Sequence, residues 1–546
     1  MAAQSSSSSE RTPKEEPKQK EFHIAPMLDV STQEFCHFMR ILTKRAILWT
    51  EMVVDDTILH TEHLDHHLPY HSKLSPIVCQ IGGRNADSCG RACRVIVESY
   101  GGYDEINLNI DCPSSRVSGE RKFGAILMHD ASAACDVVSA MQRSAKDRRM
   151  PISVKCRIGI ELDDGEVFDT LDHLIGFIGK LRERGCRKFV IHARKCVIGG
   201  LLSPAQNRIV PPLNYPRVYE LCRYFPDCEF VLNAGIPGLA SARMLCRGKD
   251  YESMMEERAG VENGDEDVDA YENVHVGVNA NTPTEHDDCS GEWNNQVDSS
   301  SGGSNSVKHE THRPQHGVPC ATCNASNGSC VEPPTVAPSN LAGVMIGRAC
   351  REHPAMFWDV DRYFYGEASN PCRNRREALE EYCLFLESCF PRRCCDGDAR
   401  KSARIPTPKV EMFTSGGCPI CKEFYGDDDD DDYVGSTDIS TEERNALFKE
   451  QAAKEKLTTA AIGRSLTPIR GLFFGVYGGK CFKTQCDKLA KDRRVRNCGP
   501  GYIVRKAMAT IPAELLDVPF VKTEDLAEGD VPVHISPSGC HLKRCS

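Results

Sequence analysis

The sequence has 546 residues, more than one ordinary hydrophobic core accommodates, which predicts two or three domains plus segments outside them. Its formal net charge of -11 excludes a uniformly basic surface. Acidic runs contribute much of that negative charge, so the sum does not exclude local basic patches on the rest of the chain. No apolar run reaches the roughly 18 residues of a membrane span, and the first 20 residues contain no apolar stretch of the kind a secretory signal requires, so neither a transmembrane helix nor secretion is expected. The 29 cysteines are irregularly spaced, which favours reduced core thiols over a disulfide scaffold.

Eight short apolar runs of strand length occur between residues 23 and 348. Continuous runs rich in Val and Ile are typical of parallel strands that are covered on both faces. Eight such runs followed by helices predict an α/β fold of the TIM (β/α)8 barrel type. The runs are HIAPML from His23, AILWTEMVV from Ala46, PIVCQIGG from Pro76, EINLNI from Glu105, PISVKCRIG from Pro151, KFVIHAR from Lys188, EFVLNAGI from Glu229 and AGVMIGR from Ala342.

Several spacers between these runs show helical periodicity, with apolar residues at intervals of three and four. The predicted helices are 86–100, 131–145, 165–184 and 215–225. A doubly wound parallel sheet is the competing fold. It is less favoured because polar residues follow nearly all eight runs, and a barrel gathers its active site at the C-terminal ends of its strands.

Composition divides the chain into folded and polar segments. The predicted organisation is a disordered tail over 1–21, a barrel over 22–366 with a disordered acidic insertion over about 247–340, a smaller all-helical domain over 367–400 and 441–496 with an acidic linker over about 401–440, and a C-terminal tail over 497–546. CxxC pairs occur at Cys320 and Cys418. Neither has a convincing full set of zinc ligands, so no metal site is predicted.

Polar residues and glycines follow the runs where the mouth of a barrel would form. Singly, each is more often a capped or solvated group, but a converging set can hold an anionic, hydrogen-bonding cofactor such as a flavin. A lysine beside N1 and O2 of an isoalloxazine would stabilise the reduced ring, and glycines after the last two runs would admit a phosphate. The set comprises Ala25, Pro26, Met27, Glu51, Gln80, Asn107, Asn109, Lys155, His192, Asn233, Gly235, Gly347 and Arg348.

The loop after the fourth run, NLNIDCPSSRVSGERKFGAILM, is the most informative stretch of the chain. Cys112 follows the strand end, and Pro113 fixes the turn, so the thiol is expected to face the mouth of the barrel. A thiol there can act as a nucleophile, a metal ligand or a general acid. With a flavin beneath it and no paired base in the motif, the favoured role is general acid.

Nine motifs in order resemble the tRNA-dihydrouridine synthases of the A subfamily over about residues 22–366. They are HIAPMLDVS, WTEMV, YDEINLNIDCPSSRV, FGAILM, VKCRIGI, IHARK, GLLSPAQNR, PPLNYPRVY and GVMIGR. A later stretch, LTPIRGLFFGVYGGKCFKTQCDKL, resembles the helical tRNA-binding domain of that family.

This resemblance implies an FMN-dependent enzyme that uses NADPH to reduce the C5–C6 double bond of a uridine in the tRNA D-loop, at positions 20 and 20a. Cys112 would protonate C5, Asn109 would lie against the uridine, and Arg116 and Arg208 would lie near the tRNA. Lys480 and Lys483 would contact RNA where the family commonly has Arg. The implied FMN contacts are Ala25, Pro26, Met27, Gln80, Lys155, His192, Asn233, Ala234, Gly235, Gly347 and Arg348.

The sequence departs from the family pattern at three positions. Asp111 precedes the implied catalytic cysteine where the family usually has Gly, which removes backbone freedom and is expected to alter the loop or the pKa of the thiol. Ala234 replaces a glycine of the family's NGG, which is expected to be a small change. Ala205 stands where the subfamily often has a lysine, so one tRNA contact is expected to be missing.

Two other functions are open. A flavin-dependent barrel oxidoreductase acting on a free pyrimidine or another small molecule is disfavoured by the C-terminal RNA-binding motif. A non-catalytic tRNA-binding protein is disfavoured by the joint presence of Cys112, Lys155 and His192. The expected partner is tRNA, with no membrane and no obligatory protein partner, and the expected compartment is the cytoplasm, an organelle being the alternative.

Overall fold

The structure of the chain is a computed structural model that describes ten stretches, all within one compact unit. Arg116 and both CxxC pairs lie outside the described residues, as do the sequences predicted to be disordered, apart from short flanks. None of the described helices combines the length and the apolar composition needed to cross a membrane. The described residues are 19–62, 64–68, 72–100, 102–113, 123–198, 202–248, 336–390, 459–476, 479–496 and 498–523.

Each of the eight predicted runs overlaps a strand of the central parallel sheet. In chain order the strands are β1 Glu21–Ile24, β2 Leu48–Val54, β3 Ile77–Gly82, β4 Glu105–Ile110, β5 Ile152–Arg157, β6 Ile160–Glu161, β7 Val167–Phe168, β8 Lys188–His192, β9 Cys196–Val197, β10 Glu229–Asn233 and β11 Leu341–Ile346. The central sheet has the order β1-β11-β10-β8-β5-β4-β3-β2, and β6, β7 and β9 form a small separate sheet.

The central sheet closes on itself. A parallel bridge joins His23 to Ile47, just before β2, and the backbone N–H of Ile47 donates to the carbonyl of Phe22 at 2.8 Å. The first strand therefore meets the last one of the sheet order. This closure confirms the predicted TIM barrel and rules out the doubly wound alternative.

Helices follow the strands, and several begin at a capping side chain. The helices of the barrel region are α1 Gln33–Leu42, α2 Asp55–His60, α3 Ala86–Ser99, α4 Ala131–Ala145, α5 Leu171–Glu183, α6 Tyr215–Tyr224 and α7 Leu239–Arg247. The side chains of Thr32, Asn85, Asp130 and Thr170 each accept a hydrogen bond from a backbone N–H in the first turn. All four predicted helices are confirmed, although α5 starts later than expected because Val167–Phe168 pairs with Ile160–Glu161 as a strand.

The strands are apolar on both faces because two separate cores cover them. The outer core packs the sheet against the helices. The inner core fills the barrel with Trp49, Val78, Val190, Val231 and Met345. Side chains alternate between these two cores along each strand, so polar residues at the ends of the inner face point into the barrel mouth.

The described C-terminal part is helical, as predicted. Its helices include α8 Arg375–Cys389, α9 Gly479–Lys491, α10 Pro500–Met508 and α11 Ala513–Asp517. Helix α8 packs on the barrel, where the rings of Phe38 and Tyr382 meet edge to face with centroids 5.2 Å apart.

The predicted start of a C-terminal tail at residue 497 is wrong, because α10 and α11 lie beyond it. Ile503, Val504 and Ala507 of α10 are fully buried. Arg505 fixes the helix to α8 by donating from Nε to Glu387 at 2.7 Å. The spacing of these apolar residues is helical and would have revealed the helix.

A glycine at the seam of the barrel provides a test of the closure. An added Cβ on Gly343 of β11 would overlap the carbonyl oxygen of Glu21 in β1, whereas one on Gly176 of α5 would meet no atom within 4 Å. We expect Gly343→Ala to lower the free energy of unfolding by about 1–3 kcal/mol. The control Gly176→Ala should raise it by about 0.5–1 kcal/mol. Urea unfolding measures both, and a Gly343→Ala protein as stable as the wild type would contradict the close approach of the two strands.

Candidate active site

The register of three neighbouring strands brings polar side chains together at the mouth. Asn109 of β4 lies beside Lys155 of β5, and Arg157 at the end of β5 lies beside His192 of β8. These residues share the inner face with the positions two before or after them. Asp111, two residues beyond Asn109, therefore arrives next to Arg157.

Asp111 is the centre of an ion cluster. One carboxylate oxygen is paired with Nζ of Lys155, and the other accepts from Nε of Arg157 at 2.8 Å and lies 3.0 Å from Nδ1 of His192. The Asp111 side chain is only 15% exposed. Burial acts to raise the pKa of this carboxyl, but the adjoining groups, Lys155 foremost, hold it well below its usual range. Asp111 is therefore an anion at neutral pH.

His192 is neutral in this cluster. Burial, assisted by the charge of Arg157, lowers the pKa of the imidazole to about 3. Because an ionised carboxylate only accepts hydrogen bonds, the proton of the neutral ring lies on Nδ1, facing Asp111. Its Nε2 is left as a hydrogen-bond acceptor.

A chain of buried amides holds the loop that contains Cys112. Oδ1 of Asn109 accepts from the backbone N–H groups of Asp111 at 3.1 Å and Cys112 at 3.0 Å. Its Nδ2 donates to Gln80 at 2.9 Å, and Nε2 of Gln80 donates to Asn107 at 2.9 Å. The two backbone bonds fix the orientation of Asn109, which in turn fixes that of Gln80. Asn109, which the resemblance predicts to lie against the uridine, thus positions the loop that contains Cys112.

Cys112 is half-buried just past the end of β4 and forms no disulfide. Its carbonyl accepts from the N–H of Ala125 at 3.0 Å. Arg208 lies close enough to Arg348, Arg157 and the thiol of Cys112 to interact with them electrostatically. Partial burial and the positive charge of Arg348 lower the pKa of the Arg208 guanidinium. The structure thus brings the predicted cysteine, Arg208 and Arg348 to one mouth.

The loops after β10 and β11 complete the mouth. Nδ2 of Asn233 donates to the carbonyl of Met345 at 3.0 Å, and Tyr215 donates to the carbonyl of Ala234 at 2.6 Å. Gly235 has φ +65°, and Ala234 has φ +108°, a region that favours glycine. Ala234 therefore adopts a backbone conformation that strains a residue with a Cβ, which is more than the small change expected at this position.

The remaining predicted cofactor residues lie on the loop after β1 and at the end of β11. Ala25 is buried in the inner core, and its N–H donates to Ile346 at 2.8 Å. Pro26 and Met27 are half-buried, and the N–H of Met27 donates to Ser31 at 3.0 Å. Gly347 precedes the short helix Arg348–Glu352.

Two arginines of the mouth were missed in the sequence. Arg157 and Arg194 are 1% and 2% exposed, and each lies two residues beyond a predicted site residue, on the same face. Arg194 donates to the carbonyl of Ile209 at 3.1 Å, but its Nε has no partner among the described residues. This buried donor and the surplus of cations over Asp111 fit an anionic, hydrogen-bonding group such as FMN.

Lys480 and Lys483 lie away from these residues in the sequence, on α9. Both are exposed, whereas Phe482 and Cys486 of the same helix are buried. The helix therefore presents a basic face, to which the exposed Lys488 also belongs.

Comparison with known families confirms the resemblance to the tRNA-dihydrouridine synthases. Residues 23–263 match the family described as dihydrouridine synthase (Dus). The tRNA-dihydrouridine(20/20a) synthase of Shewanella oneidensis is 40% identical over 222 residues, which are 41% of this chain and 62% of the relative. That of Yersinia pestis is 41% identical over 242 residues, 44% of this chain and 66% of the relative.

The matches thus span less than two thirds of the relatives' own length. Among solved structures, an old yellow enzyme homologue from Zymomonas mobilis is 12% identical with a TM-score of 0.29, over 43% of this chain and 88% of that one. This likeness is too distant to inform function.

The lowered pKa of His192 predicts a pH dependence of stability. Between pH 6.5 and about 3 the unfolded chain binds a proton on this ring and the folded chain does not, so stability falls as the pH falls through this window. Each pKa unit corresponds to ~1.4 kcal/mol, and we expect a loss of at least ~1 kcal/mol between pH 6.5 and 5.

His192→Asn keeps a donor toward Asp111 but cannot titrate, so its stability should change less over this range. His60→Asn, at an exposed position on α2, is the control and should retain the slope of the wild type. Urea unfolding at several pH values measures these slopes. Equal slopes for His192→Asn and the wild type would contradict a buried neutral imidazole.

Proposed function

We propose that this chain, whose residues 23–263 match the family described as dihydrouridine synthase (Dus), is an FMN-dependent tRNA-dihydrouridine synthase that takes electrons from NADPH. The observation that supports this most is the fixed Cys112 loop beside a floor of buried hydrogen-bonding and charged side chains. The curated relatives bear the name tRNA-dihydrouridine(20/20a) synthase, which favours positions 20 and 20a of the D-loop. The cytoplasm is the proposed compartment.

FMN would lie across the mouth, held by the strand-end residues. The chemistry that FMN supplies when bound is hydride delivery to C6 of the uracil. Lys155 would stabilise negative charge on the reduced ring, and His192 would accept a hydrogen bond through Nε2. The loops at Asn233–Gly235 and Gly347–Arg348 would hold the phosphate, with Arg348 as the charge partner.

Cys112 would complete the reduction by giving its proton to C5 of the uracil. Hydride transfer alone leaves an anionic enolate, so a general acid on the other side of the double bond is needed. The thiol stands at the half-buried rim of the mouth, where an inserted base can reach it. The backbone N–H groups of Asp111 and Cys112 donate to Oδ1 of Asn109, and these two bonds fix the position of the Cys112 loop relative to the strand ends.

The RNA must deliver a single base into this mouth. A uracil stacked in a folded tRNA cannot meet a flavin, so the base has to be extracted from its stack. The exposed lysines of α9 and Arg208 at the rim would hold the RNA backbone during this step. A free pyrimidine as substrate is the alternative, and it would leave the basic face of α9 without a role.

Replacing the thiol tests the proton donor. We expect Cys112→Ala to lower the rate of dihydrouridine formation by about a hundred- to ten-thousand-fold, because the general acid is lost. FMN binding should persist. The control Cys135→Ala alters a buried thiol on α4, on the outer side of the barrel, and should keep near-normal activity.

The assay is mass spectrometry of unmodified tRNA after incubation with purified protein and NADPH. A colourless protein that releases no FMN, or an unchanged rate for Cys112→Ala, would refute the proposal. Reduction of free uracil but not of tRNA would favour the alternative. Dihydrouridine mapping in cells that lack the protein tests the sites, since positions 20 and 20a should then remain uridine.

The basic face of α9 can be tested through its salt dependence. The double change Lys480→Ala and Lys483→Ala should weaken tRNA binding and reduce the slope of log K against log salt by about 1–2. The control is Lys146→Ala with Arg148→Ala, two exposed residues that precede β5 at the opposite end of the barrel. Filter binding at several salt concentrations measures the slope. Equal slopes in the α9 variant and the wild type would exclude these lysines from the RNA interface.

A further inference from the structure

The carboxylate of Asp111 contacts two of the side chains that the proposed function assigns to FMN. It is paired with Lys155 and His192, both proposed flavin contacts, and with Arg157. These partners are 3%, 7% and 1% exposed, so little water reaches the cluster. At this position the related family usually has glycine, which has no side chain to offer.

The charge balance of the cluster follows from its protonation states. His192 is neutral, so Lys155 and Arg157 supply two positive charges and Asp111 supplies one negative charge. Without the carboxylate, the same floor would be more positive by one charge. Buried charges a few ångströms apart interact far more strongly than charges in water.

Reduction makes a flavin ring more negative, and a lysine beside N1 and O2 favours the reduced form. A carboxylate bound to that lysine has the opposite effect, because it offsets part of the positive charge. It also holds the Lys155 ammonium on the side of the β4 loop. The carboxylate therefore disfavours reduced FMN more than oxidised FMN. A residue that only stabilised the loop would affect the binding of both redox states equally.

We infer that Asp111 is a positioning residue that sets the electron affinity of the flavin: by pairing with Lys155, Arg157 and His192, its carboxylate makes bound FMN harder to reduce. This inference rests on the proposed function, since it requires FMN at the mouth. Asp111 acts through Lys155 and His192, and needs no contact with the substrate. A lower reduction potential makes the reduced flavin a stronger donor of hydride to uracil.

The test compares the midpoint potential of bound FMN in the wild type and in Asp111→Asn, which keeps the shape of the side chain and removes the charge. We expect the reduced-to-oxidised affinity ratio to rise about tenfold, equal to an increase of ~30 mV for a two-electron couple. The control is Asp227→Asn. Asp227 also pairs with two arginines, Arg182 and Arg187, but it precedes β10 at the other end of the barrel. The midpoint potential of FMN bound to Asp227→Asn should therefore match that of the wild type.

The inference is overturned if the midpoint potential of Asp111→Asn is unchanged and the affinities for oxidised and reduced FMN fall equally. That result is expected of a residue that only stabilises the loop. An equal shift in Asp227→Asn would overturn it as well. Asp111→Gly serves if the asparagine variant does not fold, and the same rise is expected. Failure of the proposed function is separately visible, because the wild-type protein would then bind no FMN.

Discussion

The high free energy of burying charge governs the mouth of this barrel. Lys155 and Arg157 are almost completely buried, which is tolerable only because Asp111 neutralises one of the two charges and backbone carbonyls accept from Arg157. The arrangement depends on the parallel register, which sets β4, β5 and β8 side by side with matching strand ends. A slip of one residue would turn these side chains into the outer apolar core.

The same constraint explains the polar column inside the barrel. Below the mouth, Gln80, Asn107 and Ser153 are connected by hydrogen bonds, and Ser153 donates to Glu105. Glu105 pairs with Lys188 at 3.1 Å near the N-terminal ends of the strands. None of these side chains is among the described residues that leave a buried nitrogen or oxygen without a hydrogen-bond partner, so the column adds rigidity to the interior. The cysteine loop is therefore supported through the whole depth of the barrel.

The strands were predictable because burial on both faces leaves a continuous apolar run, and the mouth residues were predictable because they end such runs. The ion cluster was not, since the pairing of Asp111 with Arg157 depends on strand register, which one sequence does not reveal. Arg194 was missed for a related reason: the fold of the segment between β8 and α6 brings its carbonyl partner Ile209 to it, and the sequence pattern does not reveal that fold. The helix Pro500–Met508 was overlooked although its periodicity is readable.

Two departures from the family pattern lie in loops of the same mouth, Asp111 after β4 and Ala234 at φ +108° after β10. The resemblance implies a glycine at each position, and a residue with a Cβ has less backbone freedom in the unfolded chain and fewer conformations in its loop than glycine has. They differ in what compensates them. Asp111 gains three partners, whereas the strain at Ala234 is opposed by one bond from Tyr215. Because backbone strain persists only where its surroundings enforce it, the loop after β10 depends on the packing of α6 against it, and Tyr215 connects the two through its hydrogen bond to Ala234.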